Sequence, residues 1–206
     1  MRPLLAASLC LALLVPGAAR AQTGVAAPIE DKPAVEINEV ERGVHFGAQA
    51  GAMFLFGPGA RQGSGFSLGR SVGVTAGIDL GELLSVGLFV LGAHIDTPPG
   101  FVSEAGMGGD FSSLTVGGLA RLNLFGSPDS NGIKRLFLDV HAGGGLGLMG
   151  PKGVYSGSDI VVLGGAGLQF FTHLRHFSIG LDADFLFGVA NMGPGVMLAP
   201  NLRYTF

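Results

Sequence analysis

Seven segments of this chain alternate apolar and polar side chains with a period of two, an eighth is apolar on both faces, and the last of the eight runs to the terminal carboxylate. In VMLAPNLRYTF, Val196, Leu198, Pro200, Leu202, Tyr204 and Phe206 point one way, while Met197, Ala199, Asn201, Arg203 and Thr205 point the other. One face suits lipid and the other suits water. A chain with that pattern repeated along its length is restricted to strands, and strands in lipid must close into a barrel, because an open edge leaves backbone groups unpaired.

The first segment, Gly43 to Phe56, sets Val44, Phe46, Ala48 and Phe54 against His45, Gly47 and Gln49. The second, Ser71 to Leu80, sets Val72, Val74, Ala76, Ile78 and Leu80 against Ser71, Thr75 and Asp79. The third, Leu83 to Ile95, is apolar on both faces. A β-bulge near Phe89 would reconcile its halves, with Phe89, Leu91 and Ile95 outside and His94 and Asp96 inside. Segments at Ser113 to Phe125, Leu136 to Met149, Ile160 to Phe171 and Phe177 to Val189 alternate cleanly, with Thr115, Arg121, Asn123, Asp139, His141, Gln169, Asp182 and Asp184 on their polar faces. About eleven residues at a 45° tilt span about 25 Å, the height of the apolar band of a membrane barrel. Longer connections follow the first, third, fifth and seventh segments, and GSPDSNGIK is the longest of the others.

The N-terminus carries one positive charge, an apolar run from Leu4 to Val15, and Ala19-Arg20-Ala21 before Gln22. This reads as a secretory signal over residues 1–21, since the run is shorter than the roughly 20 residues a spanning helix requires. Cys10 is the only cysteine and lies inside that run, so a mature chain holds no disulfide. Removing Arg2 and Arg20 leaves about ten basic against fifteen acidic residues, which argues against nucleic acid as a partner. The chain has 37 glycines and no second long apolar run, which is unlike a bundle of membrane helices. A soluble eight-stranded barrel has the same period, but it would need Lys and Glu on its outer face. The apolar face here is nearly uninterrupted Leu, Val, Ile, Phe and Ala. The reading is all-β: an eight-stranded antiparallel up-and-down transmembrane β-barrel over residues 43–206. Both termini are then periplasmic.

The LRYTF ending resembles the C-terminal assembly signal of bacterial outer-membrane barrels, with Leu202, Tyr204 and Phe206 on one face. That resemblance implies outer-membrane lipid and the barrel-assembly machinery as partners. The whole pattern resembles the small barrels of the OmpA and OmpX type, and more weakly the outer-membrane proteins of gliding-motility machines.

The lumen of eight strands is just wide enough for side chains to fill it, so inward charges are expected to pair. The candidate lumen network is Arg121, Asp139, His141, Asp182, Asp184 and Arg203. Pairing Phe125 with Arg135 would set Arg121 across from Asp139. Pairing Gly188 with Met197 would set Asp182 across from Arg203. Catalysis would need a nucleophile near His94, and the sequence offers none at the spacing that lipid A deacylases use. Gly145-Leu-Gly147-Leu-Met-Gly150 matches GxGxxG, but no helix follows to present its N-terminus to a phosphate. No cofactor motif and no metal-ligand spacing is present. Arg42, Lys134, Arg135, Arg175 and His176 are expected at the periplasmic headgroups.

Residues 22–42 hold Pro28, Pro33 and five acids between Glu30 and Glu41 without alternation, and read as a disordered acidic periplasmic segment. The favoured function is a non-enzymatic structural or interaction component of a cell-envelope assembly such as motility or adhesion, with periplasmic or surface protein partners. A narrow channel and a lipid A-modifying enzyme are the alternatives.

Overall fold

The computed structural model describes residues 40–206, apart from 57–59, 63–65, 104–105, 152–153, 155–156, 175 and 191. The signal segment 1–21, most of the acidic segment 22–42 and Arg175 lie outside the described residues.

Ten strands follow in order: β1 (Val44–Phe56), β2 (Ala60–Gln62), β3 (Phe66–Leu80), β4 (Leu84–Asp96), β5 (Val102–Ser103), β6 (Phe111–Pro128), β7 (Lys134–Gly150), β8 (Ser158–Phe171), β9 (Phe177–Gly188) and β10 (Gly193–Thr205). Eight of them close a barrel in the order β1-β10-β9-β8-β7-β6-β4-β3, each antiparallel to its neighbours, while β2 and β5 pair separately. These eight coincide with the eight segments expected to be strands. Even the shortest, the 12-residue β9, rises about 28 Å along the axis at a 45° tilt, enough for an apolar band of about 25 Å. Connections at the end bearing the termini are 81–83, 129–133 and 172–176, and those at the far end, the loop end, are 57–65, 97–110, 151–157 and 189–192.

Alternation sorts side chains as the period requires. Val72, Val74, Leu88, Leu114, Leu146, Ile160 and Leu198 are exposed on the outside, Leu88 at 69%. A surface of that kind is costly in water and neutral in lipid. At the loop-end rim the outer face turns polar, with Arg70, His94 and Ser112 side by side on β3, β4 and β6.

The third segment departs from its expected phase. β4 pairs without interruption to both neighbours, with no bulge at Phe89. Val86, Leu88 and Val90 face out, Phe89, Leu91, Ala93 and Ile95 are buried inside, and His94 and Asp96 lie on the outer face. The strand is apolar on both faces because the lumen beside its loop-end half is itself apolar.

Two hairpin registers also differ from those expected. Phe125 lies opposite Leu138, and a bulge between Asn123 and Phe125 puts Arg121 opposite His141 and Asn123 opposite Asp139. The turn beyond is organised by Asp129, whose carboxylate accepts the N–H groups of Asn131 (2.8 Å) and Ile133 (3.1 Å) and the Nε of Arg135 (2.8 Å). Gly188 lies opposite Gly193, so Asp182 faces Ala199 and Arg203 faces Ser178. The cause is remote in sequence. Asp159 of β8 accepts the N–H groups of Ala190 (2.8 Å) and Met192 (2.9 Å) and holds a tight turn that the local residues alone do not specify.

Candidate functional site

The lumen is filled, and its two halves are filled by different chemistry. In the half nearer the termini, Arg121 reaches inward from β6. Its Nη1 donates to both oxygens of Asp139 (2.8 Å each) and to Oδ1 of Asp182 (3.1 Å), and its Nη2 donates to Oδ2 of Asp182 (2.8 Å). His141 has Nδ1 3.0 Å from Asp139 Oδ1 and Nε2 2.6 Å from Asp184 Oδ1. Every one of these carboxylates is buried, Asp139 completely, and charged groups removed from water persist only when paired in this way.

Two glycines make that clustering sterically available. Register sets Gly167 of β8 between Asp139 and Asp182, and Gly165 between His141 and Asp184. A Cβ at Gly167 would strike the Asp182 carboxylate and lie 2.9 Å from both Arg121 Nη1 and Asp139 Oδ2. One at Gly165 would lie 2.7 Å from Asp184 Oδ1 and 2.8 Å from His141 Nε2. The side chains of β7 and β9 therefore meet above β8.

Arg203 does not join this group. It is hydrogen-bonded through Nη2 to Asp79 Oδ2, with His45 Nδ1 3.8 Å from Asp79 Oδ1. Asp79 and His45 belong to the lumen's charged layer yet were not among its expected members, although their place on the polar faces of β3 and β1 was the available signal. Gln169, also on a polar face, donates to Ser178 Oγ (2.8 Å). Closer to the termini, Phe137 and Phe171 meet edge to face at 5.5 Å, with the Arg42 guanidinium 4.8 and 4.4 Å from their ring centres. Arg42 is thus drawn onto inward-facing rings rather than out toward headgroups, because its charge is attracted to aromatic faces.

The loop-end half is an apolar plug. Met53, Leu55, Ile95, Phe111, Val161 and Leu186 are buried there to within 1% exposure. Three connections each add one side chain: Phe101, Val154 and Met192 pack into the same cluster. Between plug and charged layer lies a cavity of about 70 Å³, touched by Gln49, Phe89, Leu91, Arg121 and Arg203. It has room for a few waters.

No protein-family model matches this chain, and no curated protein sequence matches it. Similarity appears at the level of structure. Neisserial surface protein A superposes with a TM-score of 0.58 at 12% identity, over 82% of this chain and all of the other. OprG from Pseudomonas aeruginosa does so with a TM-score of 0.52 at 11% identity, over 83% of this chain and all of the other. The fold is that of the small eight-stranded outer-membrane barrels. None of these similarities bears on gliding motility.

Leu202, Tyr204 and Phe206 lie on the outer face at the terminus end. Tyr204 meets Phe177 at 4.9 Å and Phe206 at 4.8 Å, both edge to face, while His176 stacks on it at 5.3 Å; Phe206 in turn meets Phe46 at 5.9 Å. The C-terminal aromatics thus form a girdle across the seam where β10 closes onto β1. The GxGxxG match lies within strand β7, where a Cβ at Gly145 would strike Val116 of β6, so it serves barrel packing.

At the loop-end rim, Ser112 Oγ lies 3.0 Å from His94 Nδ1, a neighbour that sequence spacing could not reveal because it comes from the opposing strand. Among the described residues, the fold also gathers two sets of metal-ligating side chains where the sequence shows no ligand spacing. One is Asp139, His141 and Asp182, and the other is His94, Asp96 and Asp110.

Proposed function

We propose that this protein resides in the outer membrane of a Gram-negative cell, embedded in outer-membrane lipid, and works there without enzymatic chemistry as a structural or interaction component of the envelope. The filled lumen is the observation that carries this reading. The charged layer, the Phe137–Phe171–Arg42 lid and the apolar plug occupy the space a conducting path would need. What the barrel offers to partners is its surface and its connections. Shorter turns at the terminus end support placing both termini in the periplasm, since barrels of this kind keep their short turns there. Residues 22–39 would then be available to periplasmic partners, and the exposed aromatic ending to the assembly machinery.

The test is crosslinked purification from the native envelope with and without residues 22–39, a deletion that keeps Arg42 on the Phe137 and Phe171 rings. A reproducible partner set that is lost with the segment, while the barrel stays inserted, supports the reading. Failure of the intact protein to retain any partner, under conditions that retain known envelope complexes, contradicts it.

A second reading, a lipid-modifying hydrolase, is favoured by Ser112 beside His94, where His94 would act as the base that activates a hydroxyl. It predicts shortened or altered lipid A on expression of the protein and unaltered lipid A with Ser112→Ala.

A further inference from the structure

The two sets of metal-ligating side chains differ in what lies between them. Inside the barrel, the guanidinium of Arg121 already stands between Asp139 and Asp182, donating to each at 2.8 Å. That cluster has its cation. At the rim, the ligand atoms of His94, Asp96 and Asp110 lie within 4.8 Å of one another, and the neighbouring Arg70 stands off at 3.8 Å from Asp96 with its side chain 81% exposed. Among the described residues, no cation stands at the centre of this set of two carboxylates and one imidazole.

We propose that His94, Asp96 and Asp110 bind a first-row divalent transition-metal ion, Zn²⁺ foremost, at the loop-end rim. Tetrahedral Zn²⁺ bonded at about 2.0–2.2 Å places its ligands about 3.4 Å apart. His94 Nε2 and Asp96 Oδ1 are 3.4 Å apart, too far for a good hydrogen bond and correct for two ligands of one ion. The Asp110 ligand atom, in the 97–110 connection, lies within 4.8 Å of the other two, so completing the set takes a shift of no more than about 1.4 Å.

Both flanking ligands are already oriented. With the Nδ1 proton of His94 directed at Ser112 Oγ, the Nε2 lone pair faces the carboxylates, the arrangement usual behind a metal-bound imidazole. Asp110 Oδ1 accepts from Thr97 N (2.8 Å) and Thr97 Oγ1 (3.3 Å), which fixes its carboxylate at the rim. An imidazole in the set argues for a borderline ion over Ca²⁺ or Mg²⁺, which take oxygen ligands. Three protein ligands leave a coordination position facing outward, open to water or to an anion outside the barrel. Ligation at Nε2 also holds the proton on Nδ1, so His94 could not take one from Ser112. Metal binding and the hydrolase reading therefore exclude one another.

The experiment is titration of the folded full-length protein in detergent micelles with ZnCl₂ alone, and with CoCl₂ followed by visible absorption. Wild type is expected to bind one ion per barrel, and Co²⁺ to show the absorption bands of nitrogen and oxygen coordination, with CaCl₂ unable to displace either. Affinity should fall at least about tenfold in His94→Ala and in Asp110→Asn, and about tenfold in Ser112→Ala through loss of ligand orientation. Gel mobility with and without boiling checks that each variant is folded, and Asp110→Asn, in a connection, keeps the test available if a strand variant is not. Absence of Zn²⁺ binding by wild type, binding unchanged in both ligand variants, or displacement by equimolar Ca²⁺ would each overturn the proposal.

Discussion

The terminus-end half of the lumen is held together by directed contacts among a few charged groups, and the loop-end half by undirected packing of many apolar ones. Arg121 satisfies two buried carboxylates at once, so that layer depends on single atoms at fixed positions. Met53, Leu55, Ile95 and Phe111 share their burial with side chains from three connections, so the plug depends on total volume. The two halves should therefore fail differently. Removing one partner from the first leaves unpaired charge, whereas removing one side chain from the second leaves a hole that neighbours can partly fill.

The largest effect is expected from Arg121→Leu, which strands Asp139 and Asp182. Stability should fall by about 3–5 kcal/mol, read as the shift of the urea unfolding midpoint in lipid vesicles, and neutralising both carboxylates in the same variant should restore a large part of it. Leu55→Ala in the plug should cost about 2–4 kcal/mol and leave the barrel non-conducting in planar bilayers, because the charged layer and the Arg42 lid still close the other half. A plug variant that conducts would show that the two halves do not seal independently.

Gly167→Ala should cost about 1–3 kcal/mol in the same unfolding assay, since its Cβ meets the Asp182 carboxylate where Arg121 and Asp139 converge. A neutral result would mean that the cluster has room to shift.

The smallest effect lies outside the lumen, at Asp129, whose carboxyl is held below the usual carboxylate range chiefly by its hydrogen bond from Arg135. A carboxyl lowered in the folded state stabilises it above the unfolded value of about 3.9, and that contribution is lost as pH falls through the folded value. Wild type and Asp129→Asn should thus differ in thermal midpoint at pH 6, and the difference should shrink as pH falls below the unfolded carboxylate value and through the lowered folded one.

The same contrast explains what could be read from the sequence. Strand count, strand positions and the inward or outward direction of Arg121, Asp139, His141, Asp182, Asp184 and Arg203 follow from a period of two, which is a local property. The phase of β4 does not, because alternation carries information only where the two faces differ in polarity, and beside the plug both are apolar. Pairing partners were the hardest to foresee. Arg203 meets Asp79 rather than Asp182 because register at β9–β10 is set by Asp159, a residue on a third strand. Arg121 reaches Asp139 even though the bulge near Leu124 displaces their strands, because its side chain is long enough to bridge the offset. Ser112 beside His94 is likewise a product of cross-strand adjacency, and Asp110 comes near Asp96 from the connection that leads into β6. Arg42 had the composition of a headgroup residue, and only the inward rings of Phe137 and Phe171 gave it another place.

The proposed role requires a barrel that is closed along its axis and acts through its surface. The most direct measurement is conductance of the purified full-length protein in planar lipid bilayers, with insertion verified by protease protection in matched vesicles. Inserted protein with no stable conductance steps is the expected result. Reproducible, ion-selective steps from inserted wild type would contradict it.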